Sequence, residues 1–324
     1  MVKVLVSGIL GFIGSHLAER LVDEGYETYG VVRRVANRSF EVIKRILNDV
    51  TLVTGDITDY VSIRNAIKTV TPDVIVHLAA LSPVRDSFER PFEYQQANLG
   101  GTMNVAHAFL ELPDPQTRKL VAASTAEVYG LQKNEPLREN SCLKPSSPYA
   151  VSKAAADLYL QMMFYTYKLH GTILRPANSY GRKYDVSFMV EYLVTQMLKG
   201  ETVYIGAPDS VRDYMYVDDH VSAYLLAIKN AKADRQLYNV GTGIGITNKE
   251  LAELIAQKIG FDPNKIKFRS YPPGYPFRPF ASDQPYIVLD ATKIRNELNW
   301  APQLNLSKGI DKTIKYFRKR LLDQ

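Results

Sequence analysis

Val2-Lys3-Val4-Leu5-Val6-Ser7-Gly8-Ile9-Leu10-Gly11-Phe12-Ile13-Gly14 is an apolar run that breaks into three glycines and then into a helical pattern. Val2–Val6 reads as a short strand, and Ile13–Asp23 carries apolar residues at helical spacing. Gly8, Gly11 and Gly14 therefore occupy a strand-to-helix turn. Glycine there permits a tight turn and lets backbone N–H groups reach a pyrophosphate at the helix N-terminus. The spacing is G-x-x-G-x-x-G rather than G-x-G-x-x-G, and three glycines alone can mark a flexible turn. The strand before, the helix after and a second strand beyond select the dinucleotide reading, with Phe12 and Ile13 among the cofactor-binding residues.

The alternation continues outward. Thr28–Val32, Thr51–Thr54, Val74–Leu78 and Lys119–Ser124 read as strands, and Ile63–Thr69 and Glu93–Leu112 as helices. Val74–Leu78 is continuously apolar, as a strand covered on both faces requires. A polar loop, Leu131–Pro148, leads to a long helix, Tyr149–His170, and then to the strand Thr172–Leu174. The fold class is α/β: a doubly wound (Rossmann) parallel sheet with a smaller C-terminal α/β substrate lobe. The dinucleotide domain is placed at 1–178 plus about 213–248, and the lobe at about 179–212 and 249–324. Phe188–Lys199, Lys249–Ile259 and the basic Ile310–Leu321 read as helices, Tyr216–Lys229 as loop then helix, and Leu237–Val240 as a strand. Ser270–Pro285, dense in Pro, Tyr and Phe, reads as an irregular lid or substrate loop.

A carboxylate at the end of the second strand would bond a ribose 2′-hydroxyl, as NAD sites usually do. Here Gly30-Val31-Val32-Arg33-Arg34 has none. An arginine pair suits a 2′-phosphate, so NADP is favoured, with NAD as the alternative; the arginines as solvated loop charges is the plainer reading. Asp56 and Ile57 follow the third strand and are placed among the cofactor-binding residues. Asp56 either accepts from the adenine amine or caps a helix.

The chain has 324 residues, enough for one large α/β domain or two coupled ones. Lys+Arg 40 against Asp+Glu 34 leaves +6, a mild excess that suits an anionic small ligand. No block of like charge reads as a nucleic-acid arm. No apolar stretch approaches the ~18 residues of a membrane span, and the N-terminal run is too brief for a signal segment. The single cysteine, Cys142, excludes an intrachain disulfide and fits a cytoplasmic protein. Five scattered histidines form no metal-ligand spacing.

Tyr149 and Lys153 stand four residues apart in Ser147-Pro148-Tyr149-Ala150-Val151-Ser152-Lys153 and share a helix face. An ammonium beside a phenol lowers the tyrosine pKa and fits it to act as a base on a hydroxyl. Y-x-x-x-K recurs by chance; its place after a dinucleotide half gives it weight. Ser124-Thr125-Ala126-Glu127-Val128-Tyr129-Gly130 closes a strand. Thr125 either bonds the same hydroxyl or satisfies the strand end, and Glu127 is a second candidate base or a surface carboxylate.

These stretches, with His77-Leu78-Ala79-Ala80, Asn98–Thr102, Leu174–Gly181, Arg212–Asp219, Tyr238–Gly243 and Asp290–Trp300, resemble an extended short-chain dehydrogenase/reductase of the nucleotide-sugar epimerase/dehydratase group over nearly the whole length. The resemblance implies a catalytic triad of Thr125, Tyr149 and Lys153, with Glu127 as a further catalytic candidate. It implies that Leu78, Ala79, Ala80, Asn98 and Ser124 line the cofactor. It implies that Ser82, Thr125, Asn178, Arg212 and Arg278 hold the substrate, a nucleotide-diphosphate sugar.

Members of the group oxidise a sugar hydroxyl, often at C4, and then diverge. Glu127 stands where dehydratases and decarboxylases carry a catalytic Glu, and Arg33-Arg34 resembles the GDP-mannose 4,6-dehydratase type. Ala126, however, replaces the Asp or Ser that dehydratases place before that Glu. Alanine there, and Gly11-Phe12-Ile13-Gly14, are in the style of UDP-galactose-type 4-epimerases. A 4-epimerase is expected. The alternatives are a 4,6-dehydratase, a 4-keto sugar reductase, an oxidoreductase of a non-sugar substrate, and a non-catalytic NADP-binding scaffold. Pairing of Glu93–Leu112 and Tyr149–His170, through Leu158, Met162, Tyr165 and Leu169, would make a homodimer; the same residues also suit core.

Overall fold

The computed structural model describes residues 1–33, 37–132, 135–272 and 283–322. The N-terminal half runs β1 (Lys3–Ser7), α1 (Phe12–Asp23), β2 (Glu27–Val32), β3 (Val50–Thr54), α2 (Tyr60–Val70), β4 (Val74–His77), α3 (Pro91–Tyr94), α4 (Gly101–Leu110), β5 (Lys119–Ala123), α5 (Pro148–Thr166) and β6 (His170–Pro176). Beyond it lie β7 (Asn178–Tyr180), α6 (Met189–Leu198), β8 (Val203–Ile205), β9 (Val211–Tyr216), α7 (Val217–Lys229), β10 (Gln236–Val240), β11 (Gly245–Thr247), α8 (Asn248–Ile259), β12 (Ile266–Phe268), β13 (Tyr286–Ile287), α9 (Thr292–Leu298) and α10 (Leu306–Leu322).

Seven strands form one parallel sheet in the order β3-β2-β1-β4-β5-β6-β10. Alternation along each strand feeds two helical layers. Val4, Val6, Val74 and Val76 pack with Leu17 and Leu21 of α1 and Val221, Leu225 and Ile228 of α7. Leu5, Ile75, Leu120 and Ile173 pack with α2, α4 and α5 through Ile67, Phe109, Leu160 and Phe164. The order reverses between β1 and β4, so a crevice opens above their carboxyl ends. A second core joins α6, α8 and α10 to β8. There β9 pairs with β7, β11 and β13.

Several elements differ from the sequence expectation. The helix expected over Glu93–Leu112 is α3, a π-helical stretch Gln95–Gly100 and α4. The wider turn lets Asn98 face inward. The helix expected to reach His170 ends at Thr166, and His170 already starts β6. β9 lay hidden because Arg212 and Asp213 interrupt its apolar pattern. Both are buried, and Asp213 accepts from Thr242 and Gly243. Between β2 and β3, Asn37–Ile46 forms 3₁₀ turns whose Ile43 and Ile46 complete the core.

One ionic pair fixes α5 on β6. The Arg175 guanidinium donates to both carboxylate oxygens of Asp157, at 2.8 and 3.0 Å, and to the Tyr129 hydroxyl at 3.0 Å. Tyr129 donates in turn to Asn239 on β10. Both side chains of the pair are buried, so deleting one partner strands a charge away from water. Asp157→Ala is expected to lower the unfolding free energy by about 3–5 kcal/mol in a denaturant titration. A loss under about 1 kcal/mol would show that the pair does not hold the helix to the sheet.

Candidate active site

The glycine loop is shaped by contact. Gly8 has φ +77°, a region that side chains avoid, and a Cβ there would stand 2.8 Å from the Ala79 nitrogen. A Cβ on Gly14 would stand 2.1 Å from the Gly8 carbonyl oxygen. Gly11 is the N-cap of α1, and its N–H donates to Gly8 O at 2.9 Å. No residue of the first turn of α1 is acidic, which leaves its positive end to an anion.

Behind the loop, Ser7 Oγ accepts from the N–H groups of Leu78 (3.1 Å) and Ala79 (3.3 Å) and lies 2.7 Å from His77 Nδ1. His77 Nε2 lies 3.1 Å from Thr102 Oγ1, which donates to Asn98 O. Thr102 therefore accepts from Nε2–H, and Nδ1 accepts from Ser7. Burial, helped by Lys153, pushes His77 down to about 3, so the ring is neutral.

A cavity of about 620 Å³ opens above this floor. It brings together Gly8, Gly11, Phe12, Ile13, Gly14, Leu78, Ala80, Ser82, Ser124, Thr125, Glu127, Tyr149, Lys153 and Asn178. Other expected residues face elsewhere. Asn98 is buried, and its amide is committed to Leu81 N, Leu81 O and Ser152 Oγ; it braces the site from behind and does not line it. Ile57 is buried near Gly101, where a Cβ would come within 2.7 Å of it. Asp56 accepts from the N–H and hydroxyl of Thr58, a local turn. Arg212 pairs with Asp283 at 3.2 Å outside the cavity lining. Ala79 presses on Gly8, and Arg33 is exposed just past β2. Arg34 and Arg278 lie outside the described residues.

The chemistry-bearing side chains meet at the start of α5. Ser147 caps that helix by accepting from Ala150 N–H at 3.1 Å, and Pro148 opens it. This presents Tyr149 to the cavity, hydrogen-bonded to Thr125. Thr125 Oγ1 also accepts from Glu127 N–H at 3.2 Å, so it both ends the strand and meets the phenol. The expected lowering of the tyrosine pKa is absent here. Burial pushes the Tyr149 phenol well above its usual range, and the Glu127 charge adds to the rise. Lys153 Nζ instead donates to Ala123 O at 2.6 Å. Burial lowers Lys153 to about 8, opposed by Asp157.

Three further groups were not singled out in the sequence. Gln284 is buried, and its Nε2 donates to Glu127 Oε2 at 2.8 Å across 157 positions of chain. The Arg182 guanidinium lies over the rings of Phe12 (4.2 Å) and Phe188 (3.5 Å), beside the glycine loop. Glu191, fully buried, accepts from the N–H groups of Gly181 and Arg182 and faces the Arg182 charge at 3.4 Å. No local spacing announces these partners; only the fold brings them together.

The donor set fits a dinucleotide. The glycine cradle admits no Cβ, a helix N-terminus opens on it, a guanidinium lies beside it, and the buried Ser124 hydroxyl in the lining has no partner among the described residues. Among the described residues no His/Cys/Asp/Glu cluster fits a metal, and no helix is long and apolar enough to cross a membrane.

The family model described as GDP-mannose 4,6 dehydratase matches residues 5–313. The chain belongs to the extended short-chain dehydrogenase/reductase family of nucleotide-sugar epimerases and dehydratases. It is 34% identical to a UDP-glucose 4-epimerase of Mycolicibacterium smegmatis, over 98% of this chain and 99% of that protein. It is 30% identical to a dTDP-glucose 4,6-dehydratase of Haemophilus influenzae, over 98% of each. Among solved structures, UDP-glucose 4-epimerase of Thermotoga maritima with UDP-glucose superposes with a TM-score of 0.87, at 30% identity over 99% of this chain and 100% of that one. The dTDP-glucose 4,6-dehydratase of Bacillus anthracis in complex with NAD gives 0.85, at 27% identity over 98% and 97%.

In this epimerase/dehydratase-family enzyme the buried Lys153 ammonium has a measurable signature. Its pKa lies near 8 in the folded chain and near 10.5 unfolded. Between those values the unfolded state binds more protons, so stability rises with pH, by about 3 kcal/mol across the window. Lys153→Met removes that contribution. The stability advantage of the variant over the wild type, measured without cofactor, is expected to shrink as pH rises from about 8 to about 10.5. A pH-independent difference would show that Lys153 is not buried as a charged group.

Proposed function

We propose that this enzyme is an NADP-dependent 4-epimerase of a nucleotide-diphosphate hexose of the UDP-glucose type. The carrying observation is Ala126. Its side chain is buried in an apolar cluster with Val128, Leu137 and Leu289, whereas Thr125 and Glu127 on either side line the cavity. Loss of water from a 4-keto sugar needs an acid for the departing hydroxyl and a base at C5. Epimerisation needs removal of the C4 hydride and the hydroxyl proton, a turn of the 4-keto sugar, and return of both to the opposite face. A bound nicotinamide dinucleotide would accept and return the hydride. Tyr149 takes the hydroxyl proton, Thr125 aligns that hydroxyl, and the Lys153 charge favours the phenolate once substrate is in place. Asn178 and Ser82 stand in the lining as substrate contacts.

One observation favours a 4,6-dehydratase instead: Glu127 stands in the cavity near Tyr149. NADP is favoured by the exposed Arg33 directly after β2, where no carboxylate stands. Incubation of UDP-, dTDP- and GDP-hexoses with the enzyme is expected to give C4 epimers, better with added NADP⁺ than NAD⁺. Tyr149→Phe should lose turnover by at least about 100-fold while still binding the dinucleotide. A 4-keto-6-deoxy sugar without epimer, followed by NMR, would overturn the reaction; a preference for NAD⁺ would overturn the cofactor.

The enzyme is further proposed to be a homodimer. Val151, Leu158 (55% exposed), Met162 and Tyr165 (87% exposed) form one apolar stripe on α5, with Phe92 exposed on α3. Leu169, expected to join them, is buried in the core. Light scattering is expected to give twice the mass of the chain, and a Leu158→Glu/Tyr165→Glu variant half of that. A monomeric wild type would sink the proposal.

A further inference from the structure

α7 presents two side chains to the same cavity, one turn apart: His220 and Tyr224. Both are buried, His220 to 3% exposure and Tyr224 to 0%. Their rings lie 5.2 Å apart and tilted by 33°. His220 Nδ1 is anchored 2.9 Å from Ser179 Oγ on β7, which fixes the ring and directs its other nitrogen away from that strand. Among the described residues, neither His220 Nε2 nor the Tyr224 hydroxyl has a hydrogen-bond partner. Buried polar atoms are nearly always paired, and two orphans on one helix face, lining one cavity, mark a place where a polar group belongs.

The chemistry of the pair defines that group. Burial, with the Arg182 charge nearby, holds His220 down at about 3, so the ring is neutral and Nε2 offers one proton or one lone pair. The tyrosine hydroxyl offers either. Together they suit a small planar group carrying a donor and an acceptor side by side. The reacting hydroxyl of a sugar is matched elsewhere, by Thr125 and Tyr149. Phosphates are matched by the glycine loop and Arg182. Pro176, Ala177, Asn178 and Ser179 complete the wall around His220.

We infer that His220 Nε2 and the Tyr224 hydroxyl hold the carboxamide of the nicotinamide ring and set its orientation at the reacting end of the cavity. Ser179 is the positioning residue that holds the imidazole. The inference rests on dinucleotide binding and is independent of which sugar reaction follows.

The test compares oxidised dinucleotide with ADP-ribose, which carries the same pyrophosphate and adenosine but no nicotinamide; where NADP⁺ is the ligand, 2′-phospho-ADP-ribose replaces it. Affinities are measured by calorimetry on the wild type, Tyr224→Phe and His220→Leu. Each variant is expected to bind dinucleotide about 10-fold more weakly, the scale of one lost hydrogen bond, and the ADP-ribose ligand unchanged. Without ligand, Tyr224→Phe should melt no lower than wild type, because its hydroxyl has no partner to lose. Equal weakening toward both ligands, or no weakening toward either, overturns the inference. A wild type that binds neither ligand overturns the dinucleotide site itself, a separate failure.

Discussion

A relay of buried neutral hydrogen bonds holds the glycine loop and the helix that carries Tyr149 in one frame. It begins at Ser7, at the tip of β1, and passes through His77 on β4 to Thr102 on α4. Thr102 donates to Asn98 O, and the Asn98 amide reaches Ser152 Oγ at 2.9 Å. Ser152 donates to the carbonyl of Tyr149 at 2.7 Å. The glycine loop and the phenol are 141 positions apart in sequence but a few contacts apart in this chain. Every member is uncharged, so burial costs far less than for ions, and the low dielectric strengthens each bond. The π-helical stretch lets Asn98 join, and functional helices commonly place such a turn where a side chain must be re-aimed.

Charges in this interior are treated differently. Arg175 meets Asp157 in a two-pronged pair, and Arg182 meets Glu191 and two aromatic faces. Arg175 and Asp157 neutralise each other and serve architecture, whereas Arg182, held by Glu191, keeps its guanidinium beside the glycine loop. Lys153 receives a backbone carbonyl in place of a direct carboxylate partner. Its positive charge is therefore not spent on a salt bridge, and its field reaches whatever enters the cavity. That difference separates a charge placed to hold the fold from one placed to act on a bound group.

The glycine loop, the parallel sheet and the Tyr149–Lys153 face were legible because they are local: a fixed period or spacing dictates them. Asn98 and Ile57 show the limit of motif reading. A motif position says that a residue matters near the site, but not whether its side chain faces the ligand. Asn98 spends its amide on Leu81 and Ser152, and Ile57 fills space beside Gly101. Gln284 and β9 escaped because their partners are remote in sequence, and Arg182 and Glu191 because they pair across an irregular loop at a spacing no periodicity announces; buried polar residues of this kind look like surface residues until the fold is known. The Tyr149 pKa differs for a related reason: helical spacing puts Lys153 on the same face, but it gives neither the burial that raises the phenol nor the Ala123 carbonyl that engages the ammonium.

The same distinction bears on Ala126 and Glu127. They are neighbours, but a 3₁₀ turn sends them to opposite sides. Position 126 points into apolar packing with Leu137, Ile287 and Leu289, so the departing hydroxyl of a dehydration would find no acid there. Glu127 alone would have to serve. The Gln284 amide donates to one of its oxygens, which engages that oxygen as an acceptor. A dehydration needs an acid and a base on one sugar; the epimerase cycle asks neither of this pair, because Tyr149 both takes and returns the single proton. Burial, with the Glu127 charge adding to it, raises the Tyr149 phenol, which keeps it protonated until a substrate hydroxyl and a positive ring arrive. On this reading Glu127 tunes the base, and Ala126 closes the route to water loss.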